Sequence, residues 1–177
     1  MNRALLPLTA LLLALVLPAT AAAVTPGIPL WEGAKTGMSA EQVLAAFPEA
    51  HAVPRQERIG KRGPERGDLR VKIDRVEVAG APYRGRFYFH DAGLERVVLD
   101  RILEGGMSFS QGLKAAGNVR DALSQHYGEP VKRQTGGDGY LAEWHQDQKR
   151  VRLVVVTQSY KVKGFHVIFE PLEQDKE

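Results

Sequence analysis

The chain contains no cysteine among its 177 residues. This absence excludes disulfide bonds, thiol catalysis, cysteine-ligated zinc and lipidation of an N-terminal cysteine. Aromatic residues are also scarce, at 7%, and the formal net charge is only +3. A nearly neutral chain has no general electrostatic preference for nucleic acid or for another highly charged partner. A fold of this composition must be stabilised by noncovalent packing.

Beyond the N-terminus the sequence also lacks any long apolar run. The opening MNRALLPLTALLLALVLPATAAA combines a cation at Arg3, an apolar stretch, and small residues at Ala21 and Ala23. This pattern is typical of a secretory signal peptide, and the stretch is shorter than the about 20 apolar residues of a membrane-spanning helix. We therefore predict a signal peptide at 1–23, cleavage before Val24, no transmembrane segment in the mature chain, and a periplasmic or secreted location.

Two segments have the features of capped helices. Ser39 and Gln42 match a capping box, and Pro48 marks the end of the first segment. A second helix is predicted before the sequence YGEP at 127–130, because apolar residues recur there every four positions. Alternating apolar residues after each helix predict three antiparallel strands. A change of phase near Asp74 predicts a β-bulge.

The order of one helix and three strands occurs twice, with a period of roughly 80 residues. We therefore predict an α+β fold of two αβββ units, in which an antiparallel sheet is packed by helices on one face. The first unit is predicted at 24–105 and the second at 106–172, followed by a polar tail at 173–177. The alternating positions predict one shared core, formed by Phe87, Phe89, Val97, Leu99, Leu123, Leu153, Val155, Phe165, Val167 and Phe169.

The helix start GMSAEQV at 37–43 and the YGEP segment at 127–130 resemble motifs of small bacterial envelope proteins with the β-lactamase-inhibitor-protein-like fold. That group includes the small outer-membrane assembly lipoproteins. The resemblance implies a sheet that is packed by helices on one face and used for protein contacts, in a Gram-negative periplasm. It implies no catalytic residue. The chain departs from the lipoproteins in lacking the cysteine that they carry as a lipidation site.

The histidines give little indication of catalysis or metal binding. The chain has five, and none belongs to an HExxH motif. Glu143, His145 and Asp147 alternate, and on one strand they would share a face that could ligate a metal. The sequence QDQK at 146–149 instead predicts a hairpin turn at Asp147, so we predict no metal site and no cofactor. No GxSxG or SxxK signature is present, and TGGDG at 135–139 is interpreted as a hairpin loop rather than a phosphate-binding loop.

One stretch, PRQERIGKRGPERGDLR at 54–70, is locally basic. Three acidic residues offset half of its six cations, which leaves +3. Nucleic acid is not expected as a partner, because the chain is predicted to be exported and no aromatic residues interleave the cations. The stretch could bind another envelope protein or an acidic envelope surface, or it could be a solvated loop, and both interpretations stay open. The candidate binding residues are Arg55, Arg58, Lys61, Arg62, Arg66 and Arg70.

Together these features favour an exported, non-enzymatic binding or protein-interaction module of the bacterial cell envelope. The alternatives are a periplasmic hydrolase with an unrecognised site and a carrier of a small apolar ligand. A deep pocket with converging histidine and carboxylate groups would favour the hydrolase, and a closed cavity between sheet and helices would favour the carrier. Trp31, Tyr140, Trp144 and Tyr160 could form an aromatic platform for glycans or peptides, but such residues more often pack in the core.

Overall fold

The computed structural model describes residues 27–55, 67–91 and 93–172. The predicted signal peptide and polar tail lie outside these ranges. In chain order the elements are β1 (Pro29–Trp31), β2 (Ala34–Lys35), α1 (Ala40–Ala46), β3 (His51–Ala52), β4 (Asp68–Val78), β5 (Ala81–His90), β6 (Gly93–Arg101), α2 (Phe109–Tyr127), β7 (Lys132–Gly136), β8 (Gly139–Gln146), β9 (Lys149–Gln158) and β10 (Lys161–Pro171). No helix in the described ranges is long and apolar enough to cross a membrane.

Eight of the ten strands in the described ranges form one antiparallel sheet, in the order β3-β4-β5-β6-β10-β9-β8-β7. The first and second halves of the chain meet at its centre, where Val98 of β6 pairs with Ile168 of β10. The other two strands, β1 and β2, pair with each other as a small hairpin. The predicted bulge near Asp74 is confirmed, because the register of β4 against β5 shifts between Ile73 and Val76.

The prediction of an α+β fold with two αβββ units is wrong. In the described residues the protein is mostly β, with the eight-stranded sheet, the two-stranded hairpin and only two helices, of 7 and 19 residues. Each helix is followed by four strands rather than three. The additional strands, β3 and β7, form the two edges of the sheet. Alternating hydrophobicity could not indicate these strands, since β3 has two residues and all five residues of β7 are exposed.

Both helices begin with a capping box, so the one predicted at Ser39 and Gln42 is confirmed. In α1 and α2 alike, the side chain of the capping serine, Ser39 or Ser108, accepts a hydrogen bond from the backbone N–H three residues later, and a glutamine side chain accepts one from the serine N–H. This arrangement satisfies two N–H groups per helix that have no partner within the helix. α2 approaches the sheet closely at Gly112, where an added Cβ would lie 2.5 Å from a methyl group of Val162.

The main core lies between one face of the sheet, the two helices and the β1–β2 hairpin. All ten residues predicted to share a core are buried in this one cluster, so that prediction is confirmed. α2 contributes Ala116, Val119 and Leu123, whose spacing of three and four places them on one helix face. Trp144 of β8 is fully buried, and its indole N–H donates to the Gly128 carbonyl at 3.0 Å. That bond ties the C-terminal end of α2 to the sheet.

Candidate functional site

A cleft opens between the two helices on the helix-covered face of the sheet. Its volume is about 850 Å³, within the roughly 300–1,000 Å³ of typical small-molecule sites. Buried Leu99 and Phe169 lie at its base, the β1–β2 hairpin and the end of α1 form one wall, and the last turns of α2 form the opposite wall. The titratable side chains that line it are Glu32, Glu49, Glu77, His126, Tyr127 and Lys149.

Trp31 forms the aromatic part of the first wall. It is held there by the tight turn of the β1–β2 hairpin, in which Glu32 and Gly33 have φ angles of 47° and 90°. The indole stacks on Phe47, with ring centroids 5.6 Å apart and planes within 3° of parallel. Phe47 in turn contacts Phe87 of β5, with centroids 5.3 Å apart. This row of rings connects the cleft wall to the core and gives the cleft a rigid apolar surface.

The opposite wall is formed by the C-terminal half of α2. Val119 and Leu123 are buried against the sheet, whereas Tyr127 at the helix end is half-buried. The Lys149 ammonium lies 4.8 Å from the centre of the Tyr127 ring, which is a cation–π contact. Burial lowers the pKa of Lys149, and the charge of Asp147 opposes that shift. The Tyr127 ring thus already provides the Lys149 ammonium with a favourable partner inside the wall.

Acidic groups outnumber cations at the mouth of the cleft. Glu32, Glu49 and Glu77 are all exposed, and among the lining residues only Lys149 has an ammonium or guanidinium group. Glu77 lies 3.3 Å from Arg75, whereas Glu32 and Glu49 have no ion pair with any residue that the structure describes. Burial raises the pKa of the half-buried tyrosine of the α2 wall, and the charge of Glu32 raises it further. The negative field of Glu32 therefore reaches into the cleft.

The opposite face of the sheet carries a charge network centred on Glu170. The Glu170 side chain is only 5% exposed and lies 2.9 Å from Arg96 Nε, 2.9 Å from Arg150 Nε and 2.7 Å from Arg152 Nη2. These residues belong to β6, β9 and β10, so the network joins three neighbouring strands. Three guanidinium groups around one carboxylate leave an excess of positive charge on this face.

Asp100 organises a second charge cluster on the same face. Its carboxylate lies 2.7 Å from Arg86 Nε and is hydrogen-bonded to His166 Nδ1 at 2.5 Å. A histidine oriented by a carboxylate occurs in catalytic triads, where its other nitrogen meets a hydroxyl nucleophile. Here the Nε2 atom of His166 lies over Gly164, at a point where a Cβ would clash. Neither His166 nor Asp100 lines the cleft.

The structure describes two of the six candidate basic residues. Arg55 is exposed. Arg70 Nε lies 2.9 Å from Asp68 Oδ2, and its guanidinium lies 5.5 Å from the centre of the Phe89 ring. The other four lie outside the described residues: Arg58, Lys61, Arg62 and Arg66. Binding of an acidic partner by this stretch stays a prediction.

Of the three residues considered as metal ligands, two are paired on one strand and the third lies in a turn. His145 Nε2 lies 2.6 Å from Glu143 Oε1 on β8. Asp147 follows in the β8–β9 turn with φ of 55°, so the predicted turn is confirmed. In the ranges that the structure describes, no group of three or more His, Cys, Asp or Glu residues could hold a metal ion. The TGGDG sequence spans the β7–β8 hairpin, as predicted, with Gly137 and Asp138 forming its turn.

The cleft was not identified from the sequence. The four aromatic residues considered as a platform are dispersed: Trp31 lines the cleft, Trp144 lies in the core, Tyr140 is half-buried, and Tyr160 is 86% exposed in the β9–β10 turn. The acidic residues of the mouth are far apart in sequence, with Glu32 and Glu49 in two connections and Glu77 near the end of β4, so no local motif links them. A tryptophan followed by a Glu-Gly turn is a local signal that could have indicated this wall, but it entered none of the sequence predictions.

Comparisons with known proteins add little beyond the geometry. No protein-family model matches the chain, and no curated protein matches it. Among solved structures, the chain is similar to a DUF4309 family protein, YjgB, from Bacillus subtilis. The two sequences are 17% identical, and the match covers 75% of this chain and 78% of that chain with a TM-score of 0.40. A small β-rich fold is consistent with the resemblance carried by GMSAEQV and YGEP, whereas the β-lactamase-inhibitor-protein-like fold itself stays a prediction.

Proposed function

We propose that the protein is an exported, non-enzymatic binding module of the bacterial cell envelope, and that the cleft between its helices is the binding site. The observation that carries this proposal is the cleft of about 850 Å³, which has Trp31 and Phe47 in its wall, core residues at its base and polar groups among its lining. Ligand sites in proteins are concave and mostly apolar, with a few polar groups that fix orientation. The signal-peptide pattern and the resemblance to envelope proteins support the location.

The shape of the cleft favours a small ligand over a second protein. A stable protein partner usually buries roughly 800 Å² on each side, whereas a space of this volume matches one compact molecule. Apolar surface transferred into the cleft contributes about 25 cal/mol per Å². The carrier of a small apolar ligand therefore gains support among the alternatives drawn from the sequence, although the space is an open cleft rather than a closed cavity. The His166–Asp100 pair lies on the other face and gives the hydrolase no support in the cleft.

The two tryptophans allow a direct test of the site. The chain has only Trp31, which lines the cleft, and Trp144, which is fully buried. Titration with the neutral dye N-phenyl-1-naphthylamine should brighten the dye saturably and transfer excitation to it from tryptophan. Trp31→Phe keeps an aromatic wall, so dye binding should persist, and part of the energy transfer should remain because the indole of Trp144 is bonded to Gly128 beside the α2 wall.

A matched pair of substitutions on α1 locates the dye. Ala46 lines the cleft and Ala45 does not, although both are exposed neighbours on one helix. Ala46→Phe should occupy the cleft and weaken dye binding, whereas Ala45→Phe should leave it unchanged. Equal dye affinity in the two variants would contradict the cleft as the binding site.

Export has its own test. Protein isolated from the native host should begin near Val24 when its N-terminus is determined by mass spectrometry, because a signal peptidase cleaves after small residues such as those at Ala21 and Ala23. An intact Met1 start would contradict the envelope location. It would not bear on the cleft, which the dye titration tests separately.

A further inference from the structure

We propose that the charged face of the sheet binds a phosphate group at the guanidinium groups of Arg150 and Arg152 on β9. This site lies on the opposite face from the cleft, so the proposal goes beyond the proposed function and does not depend on it. Its basis is a surplus of partly buried arginine donors over the acceptor oxygens that surround them.

The donors around Glu170 exceed its acceptors. Arg150 Nε and Arg152 Nη2 both approach one oxygen, Oε1, at 2.9 and 2.7 Å, and Arg96 Nε lies 2.9 Å from Oε2. Both oxygens of this carboxylate are therefore engaged, while each guanidinium carries further N–H donors. Arg152 Nε is itself buried and has no hydrogen-bond partner among the described residues. A buried donor without an acceptor is costly, so the network is short of acceptors that a bound anion would supply.

The neighbouring side chains do not remove this surplus. Glu143 of β8 is the cross-strand neighbour of Arg152, but it also lies 2.6 Å from His145 and opposite Lys132 of β7. With histidine neutral, the group has four cations and two acids, a net charge of +2: Arg96, Arg150, Arg152, Lys132, Glu143 and Glu170. Like charges that are partly buried repel one another more strongly than exposed ones, which favours a counterion.

The arrangement fits phosphate better than a singly charged anion. Arg150 and Arg152 are two residues apart on one strand, so they project from the same face with Cα atoms about 7 Å apart. Each keeps 25% of its side chain exposed, which leaves it accessible to a ligand from solvent. The guanidinium fork matches phosphate oxygens, and a phosphate monoester carries a charge of about −1.5 to −2 at neutral pH. The other carboxylate of this region, Asp100, is already engaged by Arg86 at 2.7 Å and by His166.

Calorimetric titration of the purified protein with inorganic phosphate tests the site. Phosphate should replace chloride at a constant ionic strength of about 0.15 M, so that screening does not change. We expect saturable binding of one phosphate, about tenfold tighter than that of acetate, because the attraction grows with the charge of the ligand.

Substitutions identify the groups responsible. Arg150→Gln should weaken phosphate binding about tenfold, since it removes one charge-assisted contact. Arg150→Lys keeps the charge without the fork and should give an intermediate affinity. Arg133→Gln is the matched control, because Arg133 is an exposed arginine of β7 that follows Lys132 and so projects to the other face. Circular dichroism and melting temperature check that each variant is folded.

Vesicle flotation distinguishes the source of the phosphate. Phosphatidylcholine vesicles with and without phosphatidic acid present the group as a lipid headgroup. Flotation that requires phosphatidic acid and is lost in Arg150→Gln would assign the phosphate to a lipid, whereas phosphate titration without flotation would assign it to a free phosphate compound.

Three results would overturn the proposal. The first is the absence of both saturable phosphate binding and flotation that depends on phosphatidic acid. The second is binding that is unchanged in Arg150→Gln. The third is an equal loss in Arg133→Gln, which would reduce the effect to general surface charge. None of these results bears on the cleft, which the dye titration tests.

Discussion

Val97 and Val98 are neighbours on β6 and both are buried, yet their side chains enter different surroundings. Val97 faces the helices and belongs to a cluster that contains 25 buried residues in the described part of the chain. Val98 points to the other face, where it forms a cluster of three buried residues with Tyr88 and Ile168. Its cross-strand neighbour on β5 is Arg86. One face of the sheet is thus stabilised by a large apolar core, and the other by a small apolar cluster among charges.

The difference explains where the candidate site lies. The two helices have unequal lengths, about 10 Å for the 7 residues of α1 and about 28 Å for the 19 residues of α2. Helices of such unequal length leave part of the apolar sheet face between them, and the β1–β2 hairpin closes one side of that gap. On the charged face, Arg96, Arg150 and Arg152 lie against Glu170 instead.

The largest expected effect is on the helix-covered face. Phe89→Ala and Leu153→Ala each remove a fully buried side chain from the main core and should cost about 2–5 kcal/mol. Thermal and urea denaturation of each variant would measure the loss. A melting temperature unchanged in both variants would contradict the view that this face supplies most of the stability.

The sequence predicted this core because its strands alternate clearly: Phe87 and Phe89, or Leu153 and Val155, point the same way by the pleat alone. It predicted the capping box from Ser39 and Gln42, since that interaction is local. It missed β7, whose residues are all exposed and carry no apolar pattern. It could not pair Glu170 with its arginines or bring Glu32 near Tyr127, because such contacts depend on how distant segments come together.

The next effect is on the charged face. Glu170→Gln keeps the shape of the side chain and leaves three arginines around a neutral amide. Breaking a buried ion pair can cost 3–5 kcal/mol, but Arg150 and Arg152 keep 25% of their side chains exposed, so we expect about 2–3 kcal/mol. Denaturant titration measures this value, and high salt should reduce the loss by screening the arginines from one another. A salt-independent loss would contradict the electrostatic explanation.

A third test compares the two faces at matched positions. Val97→Ala and Val98→Ala remove the same atoms, so their transfer terms are nearly equal. Val97→Ala should cost about 2 kcal/mol and Val98→Ala about 1 kcal/mol, because the flexible arginines beside Val98 can collapse onto the space whereas the main core cannot. Equal losses would mean that the smaller cluster is as rigid as the main core, and a larger loss at Val98 would reverse the comparison.

The smallest effect is expected from Arg150→Gln. This change tests whether fewer than three arginines are enough to neutralise the buried carboxylate of Glu170. After this change Glu170 still has Arg96 and Arg152 within 2.9 Å, and one source of repulsion between guanidinium groups is gone. The free energy of unfolding should change by less than about 0.5 kcal/mol. In the double variant Glu170→Gln with Arg150→Gln, loss of that repulsion should restore part of the stability that Glu170→Gln alone removes, which a double-mutant cycle measures. If Arg150→Gln instead costs as much as Glu170→Gln, the three arginines are each required, and the network is a balanced ion cluster rather than a surplus of positive charge.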